Sequence, residues 1–90
     1  MQISKITELG MTLDACTYKT CYANVGIGND FATIYYIETL KIDRNKGYAT
    51  ELILQMKKHY KKLGKKFGTS VALSPQMQHL IKKLKLKEYN

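Results

Sequence analysis

The chain has no tryptophan, one proline, two cysteines and only seven acidic residues in 90. Each scarcity excludes something. With proline only at Pro75 there is no proline-rich linker, and no repeat or low-complexity segment divides the sequence. Cys16 and Cys21 make no disulfide framework, and His59 and His79 are not spaced with them as a zinc set, so reduced structural thiols and no metal are expected. No apolar run approaches the roughly 18 residues that span a bilayer. Met1-Gln2-Ile3-Ser4-Lys5 lacks the apolar stretch of a signal peptide, so a cytoplasmic protein without membrane contact is expected. Against the few acids stand 15 lysines and arginines, for a net charge of +8. Lys57, Lys58, Lys61, Lys62, Lys65 and Lys66 gather in the second half, followed by Lys82, Lys83, Lys85 and Lys87. Such lysines can be a solvated helix face, an attractor of an anionic cofactor, or a nucleic-acid surface. Charge alone does not separate the three.

An apolar content of 44% is ordinary for a globular protein, and the length allows one small domain over residues 1–90. The first 30 residues read as β-structure, with Met11 to Ala15 alternating and Thr20 to Val25 of strand-compatible composition. Gly26 to Asp30 reads as a turn, and Phe31 to Ile42 as a long strand. From Ala49 onward the period changes. Ala49, Leu52, Ile53, Met56, Tyr60 and Leu63 recur at helical spacing, and Gly64 supplies the stop. Phe67 to Leu73 reads as a strand. Ser74-Pro75 reads as the cap and first residue of a second helix with Met77, Leu80, Ile81 and Leu84 on its apolar face. The fold class expected is α+β: an antiparallel β-meander over 1–43, then a cofactor turn, helix, strand and helix over 44–90, so that the long strand opens a β-α-β-α run with helices packed on a mixed sheet.

Between long strand and first helix lies Arg44-Asn45-Lys46-Gly47-Tyr48-Ala49-Thr50. A strand leading through a glycine turn into a helix can make a phosphate cradle. The first helical N–H groups lack intrahelical partners, and the helix dipole makes that end positive. The spacing is neither G-x-G-x-x-G nor a Walker loop; it is Arg-x-x-Gly-x-Ala. It resembles the pyrophosphate-binding motif of the GNAT acyltransferases, (Arg/Gln)-x-x-Gly-x-(Gly/Ala). The resemblance covers about residues 34 to 90. Ile37 to Ile42 looks like the family's strand before the motif, Tyr48 to Gly64 its helix and Lys66 to Ser74 its next strand. Leu80 to Tyr89 echoes its closing segment.

The resemblance implies an N-acetyltransferase that uses acetyl-CoA as co-substrate. Backbone groups of Leu40 and Ile42 would pair with the pantetheine arm, or those of Ile37 and Thr39 if the register shifts. The N–H groups of Asn45, Lys46, Gly47, Tyr48, Ala49 and Thr50 would hold the pyrophosphate, with Arg44 and Lys46 adding charge. Ser74 falls where the family often has an asparagine near the pantetheine. Glu38 resembles the strand glutamate that deprotonates the amine acceptor; burial would raise its pKa toward that task, the plainer alternative being a solvent-facing residue.

The general acid does not carry over, because Ile81 occupies the family's tyrosine position and Lys85 its glycine. Tyr35, Tyr36, Tyr48 and Tyr89 are the remaining candidates. No Cys–His pairing marks Cys16 or Cys21 as a nucleophile. The loop between Ile42 and Arg44 holds only Asp43, shorter than usual in the family. The strand and two helices that usually wall the acceptor site are replaced by about 30 β-like residues, and the family's last strands are missing. An open acceptor groove is therefore expected, suited to a macromolecular amine or to completion by a second copy as a homodimer. The runner-up expectation is a catalytically inactive acyl-CoA-binding or protein-interaction module. A nucleic-acid binder comes third, since no aromatic–basic interleaving or helix-turn-helix pattern supports it.

Overall fold

The structure is a computed structural model describing residues 1–8, 10–70, 75–84 and 86–88. It opens with four strands, β1 (Gln2–Glu8), β2 (Met11–Tyr18), β3 (Cys21–Ile27) and β4 (Phe31–Thr39). A single 3-10 turn (Lys41–Asp43) leads to helix α1 (Tyr48–Lys62), strand β5 (Lys66–Thr69), helix α2 (Pro75–Leu84) and a short strand β6 (Lys87–Glu88). All six strands form one sheet in sequence order. Strands β1 to β4 pair antiparallel, as short connections allow. Strands β5 and β6 join parallel, which requires crossovers, and α1 and α2 supply them. The expected mixed sheet with helices is what the chain builds.

The core follows from two periodicities meeting. Cys16, Cys21, Ala23, Val25, Ala32 and Ile34 alternate along their strands and bury one sheet face. Leu52, Ile53, Met56 and Tyr60 form the stripe of α1 that lies on it, each fully buried. Burying one such large apolar side chain stabilises by about 1.5–3 kcal/mol, so this stripe rather than helix propensity holds α1 in place. The helix ends as its sequence foretells. Gly64 turns left-handed at φ 75°, its N–H bonds to the Lys61 carbonyl, and the Lys65 N–H bonds to that of Tyr60, both at 3.0 Å.

One polar residue is buried in this layer. Asp14 is 6% exposed; its Oδ2 accepts the Tyr60 hydroxyl at 2.8 Å and its Oδ1 pairs with Lys5 Nζ at 3.1 Å. Cys16 Sγ lies 3.5 Å from the same hydroxyl. Burial, then the bonds to Cys16 and Asp14, push the Tyr60 phenol far above its ordinary value; burial likewise raises the Cys16 thiol. Tyr60 is thus a permanent donor clamping α1 to β2. Tyr60→Phe is expected to cost about 1–3 kcal/mol, because it strips a donor from a buried carboxylate. Urea unfolding checks this as a lowered midpoint at unchanged slope; an unchanged midpoint would show that water replaces the hydroxyl.

Two expectations are corrected. Strand β4 ends at Thr39, not Ile42: the Leu40 N–H bonds back to the Thr20 carbonyl at 3.2 Å, and the Leu40 carbonyl takes the Asp43 N–H at 2.8 Å. The chain curls into the 3-10 turn, leaving Leu40 58% and Ile42 83% exposed. Strand β4 also carries a bulge. Val25 pairs with Ile34 and Asn24 with Tyr36, so Tyr35 is an extra residue and the phase slips by one. Before the slip Ala32 and Ile34 face the core; after it Ile37 packs against the core, while Tyr35 and Tyr36 are consecutive exposed residues. Strand β6 is an addition that the helical spacing around Leu80 and Leu84 did not announce. Val71 to Ser74 and Tyr89 lie outside the described residues.

Candidate functional site

Beyond the bulge, β4 has no partner among the described residues on its β5 side. Strand β5 accompanies β4 only from Phe31 to Ile34, and the Ser70 N–H bonds to the Ile34 carbonyl at 3.0 Å. Beyond Ile34, β4 keeps β3 on one edge. The Leu40–Thr20 bond sets the ladder's parity, so residues 36 and 38 bond toward β3. Ile37 and Thr39 therefore direct their N–H and C=O groups to the other edge, where no described residue pairs with them. An edge left this way is a template for an extended amide-bearing ligand.

Helix α1 begins beside this edge. Asn45 and Gly47 both adopt positive φ, 73° and 80°, so the backbone reverses hand twice before the helix starts. Gly47 is the cap residue, and no side chain caps the helix. The first helical bond is Glu51 N–H to the Gly47 carbonyl at 3.0 Å, which leaves the N–H groups of Tyr48, Ala49 and Thr50 without helical acceptors. They point where the dipole favours negative charge.

Edge and helix start share one cavity of about 600 Å³, lined by Ile37, Glu38, Thr39, Asp43 to Asn45 and Gly47 to Thr50, with His79, Leu80 and Lys83 of α2. Of the residues expected at the site, Glu38, Arg44, Asn45, Gly47, Tyr48, Ala49 and Thr50 are brought together here. Leu40, Ile42 and Lys46 are not among its lining residues. Leu40 and Ile42 lie outside β4 and so lack the strand position expected of them, whereas the alternative pair, Ile37 and Thr39, lies in β4 and lines the cavity. Ser74 lies outside the described residues.

The expected charge is partly redirected. Lys46 does not stand free; its Nζ bonds to Asp43 Oδ1 at 2.8 Å. Asp43 Oδ2 accepts the Thr20 hydroxyl at 2.6 Å, tying the turn to the β2–β3 hairpin. Arg44 and Lys83 have no ion pair among the described residues, and they supply the cavity's positive charge. Lys46 first, then Thr20, holds the Asp43 carboxyl below its ordinary value of 3.8. A depressed folded-state value means the contribution is present above 3.8 and lost as pH falls through the folded value. On acidification the amide shifts of Lys46 and Gly47 should move below pH 3.8, and Asp43→Asn should abolish that transition. A turn indifferent to acid would show that these bonds do not hold it.

Of the two alternatives open for Glu38, the structure gives the solvent-facing one. The bulge turns it to the sheet face away from α1, where it is exposed rather than sunk in the core. Its Oε2 accepts the hydroxyls of Tyr36 at 2.7 Å and Tyr22 at 3.4 Å. The bond to Glu38, then contact with Tyr22, pushes the Tyr36 phenol well above its ordinary value of 10.0. Ile81, at the family's tyrosine position, packs against the core. Sequence reasoning missed Tyr22, His79 and Lys83. His79 and Lys83 are four apart and so share a face of α2, but only the tertiary fold sets that face opposite the α1 start.

Among the described residues no helix is long and apolar enough to cross a membrane, and no group of three His, Cys, Asp or Glu could hold a metal ion. No family model matches the chain, and no curated protein and no solved structure matches it either.

Proposed function

We infer that this chain is a minimal GNAT-like N-acetyltransferase, taking acetyl-CoA as co-substrate and an amine as acceptor. The observation that carries the reading is one cavity joining a strand edge without a partner among the described residues to a helix start with no side-chain cap. An acyl-CoA has matching chemistry: a pyrophosphate for the N–H groups of Tyr48, Ala49 and Thr50, and a pantetheine arm whose amides pair with Ile37 and Thr39. Arg44 and Lys83 offset the remaining phosphate charge.

In this reading the thioester end lies beside Glu38. The acceptor nitrogen attacks the thioester carbonyl, a C–N bond forms and the C–S bond breaks. Glu38 takes the proton released from nitrogen, directly or through water. The departing thiolate is protonated by solvent. Ile81 has no proton to give, and Tyr36, bonded to Glu38, is too weak an acid for the role. The test is release of free CoA thiol from acetyl-CoA in the presence of lysine peptides or polyamines, with the acetylated product identified by mass. Thiol release that needs the amine supports transfer; none with any amine, despite acetyl-CoA binding, leaves the second reading.

That second reading is an acyl-CoA-binding module without catalysis. The core-packed Ile81 and the exposed Glu38 favour it.

A further inference from the structure

Helix α1 covers one face of the sheet, α2 turns Leu80, Ile81 and Leu84 to the same core, and no described helix packs on the other face. An antiparallel sheet with one face in water normally alternates apolar and polar residues. Here the far face is apolar as well. Ile6, Leu13, Gly26 and Thr33 are cross-strand partners in one row on it, and Leu13 is only 4% exposed. The Tyr35 ring lies over this row, since a Cβ at Gly26 would collide with it. The Phe31 ring rests likewise against Gly28. Of the eleven large apolar side chains exposed among the described residues, Met11, Tyr22, Phe31, Tyr35 and Tyr36 stand on this face, each 41% to 51% exposed. A patch of this kind marks an interface.

Charge selects the occupant. The chain carries +8, and Lys57, Lys58, Lys61 and Lys62 are exposed on α1 with no ion pair among the described residues. Two copies meeting through α1 would set lysine against lysine. On β1 to β4 no lysine or arginine occupies the far face, because Lys5 stands on the core side, paired with Asp14. Cations lie only at its margins, Lys66 beside Phe31 and Arg44 and Lys83 around the cavity that Glu38 also lines. A nucleic-acid strand would need cations among the rings. A second copy needs their absence. Four strands about 4.8 Å apart and about 25 Å long give each copy about 480 Å² of face. A sandwich of two buries about 1,000 Å² before side-chain relief is counted, near the least that a specific dimer needs.

We propose that this chain forms a weak two-fold dimer in which the far faces of β1 to β4 of two copies pack together, with Tyr35 at the centre and Met11 and Phe31 around it. Sheets packed face to face interdigitate their side chains about 10 Å apart. The bulge at Tyr35 adds one aromatic side chain to the face at its middle. Glu38 lies at the rim, so the second copy walls the acceptor side of the cavity; only this last point rests on the acetyltransferase reading.

The test is analytical ultracentrifugation of the full chain across micromolar to millimolar concentrations, with acetyl-CoA binding measured on the same samples. A reversible dimer with a micromolar Kd is expected, tightening as salt rises, because salt screens the repulsion between two positive copies. A substitution at a two-fold interface enters twice. Tyr35→Lys should therefore weaken association at least about thirtyfold, as a central aromatic residue does when lost. Tyr35→Phe should associate as the parent does. Met11→Lys should also weaken association, and it serves if Tyr35→Lys fails to fold, which circular dichroism shows. Leu54→Lys, at an equally exposed position on α1, should change nothing. A monomer at every concentration overturns the proposal, as does a dimer that survives Tyr35→Lys and Met11→Lys or dissociates in Leu54→Lys. A monomer that binds acetyl-CoA refutes the dimer and spares the enzyme reading. A dimer that binds none does the reverse.

Discussion

Gly47→Val is expected to reduce acetyl-CoA affinity by at least about a hundredfold, a loss of about 2.7 kcal/mol. Gly47 stands at φ 80° at the start of α1, a conformation that a β-branched residue adopts only with strain of about 1–3 kcal/mol. The turn relieves that strain by moving, and the N–H groups of Tyr48, Ala49 and Thr50 move with it. A side chain would also project into open space, since an added Cβ meets nothing within 4 Å. In the proposed complex that space belongs to the phosphate. Gly47→Ala separates the two effects: it carries backbone strain of about 1–2 kcal/mol and adds only one methyl group. It should fall between parent and valine variant. The fold should survive both changes, because the buried stripe of α1 starts at Leu52, beyond the turn. Thermal unfolding recorded alongside the binding assay verifies this. Undiminished affinity in the valine variant would remove the cradle from the account.

Glu38→Gln is expected to lower kcat/KM for acetyl transfer by about 10²–10⁴, the usual range for a lost general base. Its acetyl-CoA affinity should stay at the parent value, because in the proposed complex the residue lies at the acceptor end of the cavity. Glu38 is exposed, so the substitution should alter stability by no more than about 0.5 kcal/mol. The glutamine can still accept the Tyr36 and Tyr22 hydroxyls, which isolates loss of charge from loss of shape. Parent-like turnover would mean that the amine reaches the thioester already deprotonated, with Glu38 serving only as a docking charge.

Much of this could be read from the sequence because the relevant forces are local. Helix α1 was legible from its apolar stripe and from Gly64, which provides the left-handed turn that stops it. The glycine turn at the start of α1 was legible because a residue suited to positive φ, Gly47, stands just before that stripe. The sequence left Glu38 between a buried and a solvent-facing position, and strict alternation from Ala32 and Ile34 would put position 38 inward. The slip at Tyr35 reverses this, and its trace was visible: Ile37 falls out of phase with Ile34, with two tyrosines between them. The end of β4 was missed for a different reason. Leu40 and Ile42 have strand-like composition, yet the Leu40–Thr20 bond and the Thr20–Asp43 contact fold the chain away at Thr39. Those contacts join residues some twenty positions apart, which spacing along the sequence does not show. The same holds for His79 and Lys83, brought to the cavity only when α2 docks.

The most direct test of the central claim is isothermal titration of the purified protein with acetyl-CoA, with free CoA and ATP as comparisons. The account predicts saturable binding of acetyl-CoA and CoA, weaker binding of ATP, which has no arm to lie along β4, and loss of the signal in Gly47→Val. No binding at millimolar acetyl-CoA, or binding of ATP as strong as that of acetyl-CoA, would contradict it.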